Sequence, residues 1–152
     1  PLPKQEPQLL PYLTDKDDFL FDVDLNVYIQ TKQMKDKQRL CSANSKYLYY
    51  SCHQQLAHHT ITGCPFNAGD LLGSGTISGT DKTEYGSLLE MSWSGKEPIK
   101  LNDGSTRTFL EDGDKITITG AKKAPNGNFT IGFGECSGVI LPSHDPTLLG
   151  KL

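Results

Sequence analysis

The sequence lacks the features of a membrane protein or a nucleic-acid-binding protein. No apolar run approaches the ~20 residues that a bilayer-spanning helix needs, and no basic segment followed by an apolar run opens the chain as a signal peptide would. The formal net charge is -3 and the basic residues are dispersed. Neither nucleic acid nor a membrane surface is therefore an expected partner, and a cytoplasmic location is expected.

Cysteine is also scarce, and its spacing matches neither a zinc module nor a redox pair. None of the four cysteines belongs to a C-x-x-C motif. We therefore expect reduced thiols rather than disulfides. The four are Cys41, Cys52, Cys64 and Cys136.

The composition divides the chain into three segments. Residues 1–18 are rich in proline and end in the charged TDKDD, which indicates a linker or turn segment. Residues 19–142 carry the patterned sequence of a globular domain, and residues 143–152 form a tail with little pattern. The proline-rich opening without methionine suggests part of a longer chain.

Strand patterns dominate the central segment. Residues 19–30 alternate apolar and polar side chains, with Phe21, Val23, Leu25 and Val27 on one face. After Gly63, short apolar runs alternate with turn residues at intervals of roughly ten, which is typical of a β-roll, barrel or sandwich. We therefore predict a mainly β fold. The later runs lie at 70–78, 87–93, 98–101, 107–110, 115–120 and 129–141.

One amphipathic helix is predicted, at about residues 44–60. Ser42 or Asn44 can cap its start, because either side chain can accept a hydrogen bond from a free N–H of the first turn. An apolar stripe recurs every fourth residue, and Gly63 can adopt the left-handed conformation that ends a helix. The stripe consists of Leu48, Cys52 and Leu56.

Three groups of residues have side chains typical of a binding site, but none has the spacing that such a site requires. Asp22, Asp24 and Asn26 could offer oxygen ligands to a cation, but Val27 stands where a calcium loop needs glycine, so a solvated strand face is favoured. The histidines at 53, 58 and 59 lack the i, i+4 spacing of a helical zinc pair. The glycine-rich run 73–79 has no lysine and cannot be a P-loop, although its glycines permit tight bends.

Glu90 is the most interesting single carboxylate. In the run SLLEMSW, alternation predicts a strand with Leu89, Met91 and Trp93 on one face and Glu90 on the other. A lone carboxylate cannot supply the base, the electrophile and the oxyanion partner that hydrolysis needs together. The residues alone therefore do not predict a complete enzyme.

Several motifs resemble the C-terminal region of the fumarylacetoacetase family, over nearly the whole chain. The principal ones are QQLAHH, TGC, GDLLGSGTISG and GSLLEMSW, at 54–59, 62–64, 69–79 and 86–93. The resemblance implies a mixed β-roll that forms a homodimer. It also implies hydrolysis of the C–C bond of fumarylacetoacetate to fumarate and acetoacetate, in tyrosine and phenylalanine catabolism.

The resemblance assigns roles to two residues of this chain. Thr76 matches a threonine that contacts the substrate, and Glu90 matches the glutamate that orients the catalytic histidine. A carboxylate on one imidazole nitrogen fixes the tautomer and raises the basicity of the other nitrogen. The family also implies calcium, with a second magnesium site.

The histidine base, the metal ligands and most substrate contacts of the family lie upstream of Pro1. We therefore expect no metal ligands in this chain, the missing N-terminal part of the enzyme as a partner, and no activity from the isolated chain. Two alternatives remain at this point: a non-catalytic β-rich dimerisation or binding module, and a divergent relative that hydrolyses another diketone or an acylpyruvate.

Overall fold

The computed structural model describes residues 2, 4–14 and 19–144, and it confirms the mainly β fold. Two α-helices, α1 (Cys52–Thr60) and α2 (Leu88–Met91), and three 3₁₀ helices (Pro11–Leu13, Ser45–Tyr47 and Lys82–Glu84) accompany six strands. The strands are β1 (Asp24–Gln30), β2 (Gln38–Asn44), β3 (Ile99–Lys100), β4 (Thr106–Arg107), β5 (Lys115–Lys123) and β6 (Thr130–Val139).

The main sheet is antiparallel, with the strand order β2-β1-β5-β6, and β3 pairs with β4 in a separate two-stranded sheet. The core lies against β1 at Ile29, which is fully buried and stands opposite Ile116 of β5. Met34 and Leu101 complete this cluster. Burying one such side chain contributes about 1.5–3 kcal/mol, so this small cluster anchors one end of the sheet.

A bulge interrupts the pairing of β5 with β6. Thr119 stands opposite Glu135 and Ala121 opposite Gly132, so Phe133 and Gly134 together face the single residue Gly120. Gly134 has φ +78°, the left-handed conformation that a glycine adopts without a Cβ penalty. The bulge brings Phe133 over Gly120.

The structure corrects several predicted elements. The helix begins at Cys52 rather than near residue 44, and its N-cap is Ser51, so Leu48 lies outside it. Asn44 instead caps the 3₁₀ helix that follows β2. Residues 70–78 form a loop rather than a strand, and the strand β2 was not predicted. Gly63 does adopt the left-handed conformation, at φ +87°, just beyond the helix.

The start of α1 holds the N-terminal segment in place. Gln54, 2% exposed, accepts a hydrogen bond from Ser51 N–H (3.0 Å) and donates to the carbonyl of Leu13 (3.0 Å). Its side chain also exchanges hydrogen bonds with the Gln5 side chain (2.9 and 3.0 Å). Within the described ranges, no helix is both long and apolar enough to cross a membrane.

Candidate active site

Glu90 lies on α2, a single helical turn, and not on a strand as its alternating neighbours predicted. Ser87 is the N-cap of this turn: its Oγ accepts a hydrogen bond from the Glu90 N–H (3.3 Å). The same hydroxyl donates to Glu90 Oε2 (2.9 Å). A serine hydroxyl can do both at once, so Ser87 holds the backbone and the carboxylate of Glu90 together.

A second hydroxyl, from a distant part of the loop, reaches the same carboxylate. Ser78 Oγ lies 3.0 Å from Glu90 Oε1 and 2.9 Å from Oε2, and it accepts the Gly86 N–H at 3.0 Å. Its single proton can serve either carboxylate oxygen. Two serines therefore fix an exposed carboxylate from two sides.

Close backbone packing brings Ser78 to this position. A Cβ on Gly86 would lie 2.4 Å from the carbonyl oxygen of Ile77, so only glycine permits the observed approach. Next to it, Gly79 N–H donates to the Glu84 carbonyl (3.0 Å). The loop that contains Ser78 is thereby joined to the segment that leads into α2.

The side chain of Glu84 secures the other end of this loop. Its Oε2 accepts the N–H groups of Thr80 (2.9 Å) and Asp81 (3.3 Å), and Tyr47 OH donates to its Oε1 (3.1 Å). The backbone hydrogen bond from Asp81 and the hydroxyl of Tyr47 hold the pKa of Glu84 below its ordinary value. A charged glutamate thus stabilises the turn between the loop and α2.

Thr76, the predicted substrate contact, is exposed in the same loop, two residues before Ser78. Within the described part of the chain, its hydroxyl makes no hydrogen bond. The structure does not place Thr76 in direct contact with Glu90. It connects them through the short run 76–78 and the Ser78 hydroxyl.

An open cavity of about 400 Å³ lies beside the carboxylate. Trp93 and Ser94 have left-handed φ angles of 48° and 58°, and the turn is closed by a hydrogen bond from Ser94 N–H to the Leu89 carbonyl (2.8 Å). A non-glycine residue in this conformation is uncommon, and here two in succession form the tight turn that lines one side of the cavity. The cavity is lined by Tyr85, Leu89, Glu90, Trp93 and Ser94.

The negative charges of Glu84 and Glu90 affect a thiol in the main sheet. Burial raises the pKa of the Cys41 thiol on β2, and the negative charges of Glu84 and Glu90 raise it further. Cys41 therefore stays a neutral, buried thiol. A carboxylate has more acceptor positions than the two serines fill, so Glu90 can still accept a hydrogen bond from a group entering the cavity.

The other candidate groups have structural partners. Lys122 pairs with Asp22 Oδ2 (2.6 Å), and the Asn44 amide donates to both Asp22 and Asp24 (2.8 Å each). The Lys122 hydrogen bond, followed by that of Asn44, lowers the pKa of Asp22. These aspartates bridge β1, β2 and β5 rather than forming an oxygen cage.

The three helical histidines are also engaged locally. His58 Nδ1 lies 3.1 Å from Tyr12 OH, and His59 Nε2 lies 3.3 Å from Cys64 Sγ. His53 packs edge-on against Phe19. Among the described residues, no group of three or more His, Cys, Asp or Glu side chains could hold a metal ion. The donor set of these residues does not fit a divalent cation.

Sequence reasoning missed Ser78 and Ser87. The spacing Ser87-x-x-Glu90 is an N-cap signal that predicts a helix start, but it competes with a clean alternation over the same seven residues. No local signal identifies Ser78, because it lies twelve residues before its partner. Only the folded loop brings the two together.

Comparison with known proteins places the chain in a family. Residues 9–140 match the family described as fumarylacetoacetate (FAA) hydrolase C-terminal. The chain belongs to this family. The match confirms the resemblance seen in the motifs and covers both Thr76 and Glu90.

Individual relatives agree with this assignment. Human fumarylacetoacetase is 45% identical over 147 residues, covering 97% of this chain and 35% of the human protein. The Arabidopsis thaliana fumarylacetoacetase is 47% identical over 141 residues, covering 93% of this chain and 33% of the plant protein. The Emericella nidulans fumarylacetoacetase is 50% identical over 141 residues, or 92% of this chain and 32% of the fungal protein. The chain spans about a third of the length of the relatives it matches.

Proposed function

We propose that this chain is the C-terminal part of a hydrolase that cleaves fumarylacetoacetate into fumarate and acetoacetate, in tyrosine and phenylalanine catabolism. Its family membership and the shared name of its relatives support this assignment. The observation that carries it is the Glu90 carboxylate, which two serines fix beside an open cavity.

Glu90 acts in this proposal by orienting a histidine base that the rest of the enzyme supplies. One carboxylate oxygen accepts the N–H of the imidazole, so the other ring nitrogen is unprotonated and faces water. The histidine takes a proton from water as the oxygen attacks a carbonyl carbon. The C–C bond beside that carbon then breaks, and the acetoacetate carbanion takes up the proton that the histidine accepted from water, which regenerates the base.

Thr76 is proposed to contact the substrate. Its exposed hydroxyl can donate to a carboxylate or carbonyl oxygen of a diketo acid, and it is tied to Glu90 through the run 76–78. The apolar surfaces of Leu89 and Trp93 would exclude water from one side of the bound substrate. The residue that contacts the substrate and the residue that bonds Glu90 would then belong to the same loop.

We propose that residues outside this chain hold the calcium and magnesium that the family resemblance implies. Asp22, just before β1, and Asp24, in β1, do not fit such a site. Asn44 donates hydrogen bonds to both carboxylates, and Lys122 pairs with Asp22. When bound, a divalent ion polarises the diketone and stabilises the developing enolate.

The proposed partners are the N-terminal part of the enzyme and a second copy of the chain, in a cytoplasmic homodimer. The uncovered apolar side chains of β6 support an additional layer: Phe133 is 84% and Ile131 69% exposed. Exposed apolar surface on a sheet of this kind is normally covered in the assembled protein.

The test is Glu90→Gln in the full-length hydrolase that carries this segment. The amide keeps the size of the side chain but removes its charge, so we expect kcat for fumarylacetoacetate to fall by roughly 10²-fold. Steady-state kinetics that follow substrate loss would measure the effect. Glu97→Gln is the matched control, because Glu97 is an exposed glutamate of the following turn that pairs with Lys82. An unchanged kcat in Glu90→Gln would remove this residue from the mechanism.

A further inference from the structure

Glu90 could not hold a histidine in one orientation unless its own carboxylate were held. A glutamate on a single helical turn at the surface has three side-chain torsions and would sample many rotamers. Ser87, its N-cap, restrains it from within α2. The second restraint, Ser78, comes from outside the helix and contacts both carboxylate oxygens.

We propose that Ser78 is a positioning residue of the hydrolase: its hydroxyl fixes the Glu90 carboxylate and couples it to the loop that carries Thr76. The inference rests on the proposed function, and it names a residue that does not touch the reacting atoms. Ser78 acts through Glu90 alone.

The hydrogen-bonding state of Ser78 supports this role. Its Oγ accepts the Gly86 N–H at 3.0 Å, and its proton is thereby directed to the carboxylate at 2.9–3.0 Å. A hydroxyl whose acceptor side is occupied in this way has few other orientations. The Gly86–Ile77 approach, too close for any Cβ, holds the hydroxyl in place.

The position of Ser78 in the chain explains the coupling. It follows Thr76 by two residues, and Gly79 and Thr80 beyond it are fixed by Glu84. A movement of the Thr76 backbone is therefore transmitted to the carboxylate across a short, restrained segment. Substrate seated on Thr76 and the base oriented by Glu90 keep one relative geometry, which proton transfer requires.

The experiment is a double-mutant cycle in the full-length enzyme, with Ser78→Ala, Glu90→Gln and the double variant. We expect Ser78→Ala to lower kcat about 10-fold with KM changed less than about 2-fold, because misplaced catalytic groups lose rate without losing binding. In the Glu90→Gln background the same change should cost less than about 2-fold, since the group that Ser78 positions has already been disabled.

Conservative and control variants separate positioning from a general structural role. Ser78→Thr keeps the hydroxyl and should recover most of kcat, whereas Ser78→Cys keeps the volume with a weak donor and should behave like Ser78→Ala. Ser74→Ala removes a hydroxyl from the same loop and should leave kcat unchanged, because among the described residues this hydroxyl bonds only the Gly75 carbonyl. If Ser78→Ala does not fold, the cycle is run with Ser78→Cys.

The outcomes distinguish this inference from the function on which it rests. Three results would overturn the role of Ser78: effects on kcat that add in the double variant, a rise in KM without a fall in kcat, or the same fall in kcat in Ser78→Thr and Ser78→Ala. A slow Glu90→Gln enzyme beside a fully active Ser78→Ala enzyme would reject Ser78 only. An unchanged Glu90→Gln enzyme would reject the proposed role of Glu90 itself.

Discussion

At the scale of single residues, the carboxylates of this chain differ in what keeps them charged. Asp114 is 1% exposed; burial raises its pKa, but hydrogen bonds from Arg107 (2.8 and 3.0 Å) and the Glu111 N–H outweigh burial, and the net shift is downward. Asp103 lies at the surface and is held by hydroxyls. Ser105 and Thr31 lower its pKa to about 2. Neither carboxylate belongs to the proposed site.

Asp103 gives a pH-dependent prediction. Its pKa is lowered in the folded chain, so the ionised form stabilises the fold above the ordinary value of 3.8 and this contribution is lost as pH falls toward about 2. The Asp103→Asn variant should be less stable than the parent near pH 5, and the difference should vanish near pH 2. Thermal unfolding across this range measures it. A constant difference would contradict the assignment.

At the scale of elements, two short helices begin with serine caps that differ in their surroundings. Ser51 and Gln54 form a capping box at α1, and Gln54 also binds Gln5 and the Leu13 carbonyl. Ser87 caps α2, but there the residue three positions later is Glu90, whose carboxylate faces the cavity. The same local motif serves packing in one helix and the proposed chemistry in the other.

Gln54→Ala tests the structural role of the first cap. It removes the buried side chain that bonds both the Ser51 N–H and the Leu13 carbonyl, and losing such buried hydrogen bonds costs about 1–3 kcal/mol. We expect lower stability in urea and faster hydrogen exchange at residues 5–13. Gln55→Ala is the matched control, because within the described ranges the Gln55 side chain makes only one hydrogen bond, an exposed one to the Tyr50 carbonyl. Equal losses in the two variants would contradict the role of Gln54.

At the scale of the whole molecule, one face of the main sheet is buried at one end and exposed at the other. The Phe133 ring lies over Gly120, close to Leu25, yet 84% of Phe133 is exposed. Ile118 on the neighbouring strand is 44% exposed. The same surface at the other end of the sheet is covered by Leu101 and Met34. Under the proposed function, both the cavity beside Glu90 and this exposed apolar surface would be covered by the N-terminal part of the hydrolase.

The isolated 152-residue chain should therefore not hydrolyse fumarylacetoacetate, even with added calcium. In the proposed mechanism the base that Glu90 orients lies outside this chain, and the described residues hold no metal-binding group. Substrate loss would be followed with a preparation of verified intact mass, and the full-length enzyme is the positive control. Turnover by the pure chain would contradict the proposed division of the active site.

The sequence by itself determined the family, the mainly β class, and the strands β1, β3, β5 and β6, because shared motifs, alternation and turn residues are local signals. Its predicted run at 107–110 overlaps β4 only at Arg107. It also singled out Glu90 and Thr76 as candidate site residues through motifs that resemble the family, and their roles stay predictions. It placed Glu90 on the wrong kind of element and began α1 too early, since alternation over SLLEMSW outweighed the Ser87 cap.

Tertiary structure decided the remainder. β2 exists because its residues pair with β1, with Leu25 opposite Ala43 and Val27 opposite Cys41, and such cross-strand partners are invisible in a local pattern. Ser78 reaches the carboxylate of Glu90 only because Gly86, which has no Cβ, lets the backbone of Ile77 pack closely against the backbone of Gly86. The physical reason is the same in both cases: the deciding contact joins residues distant in sequence.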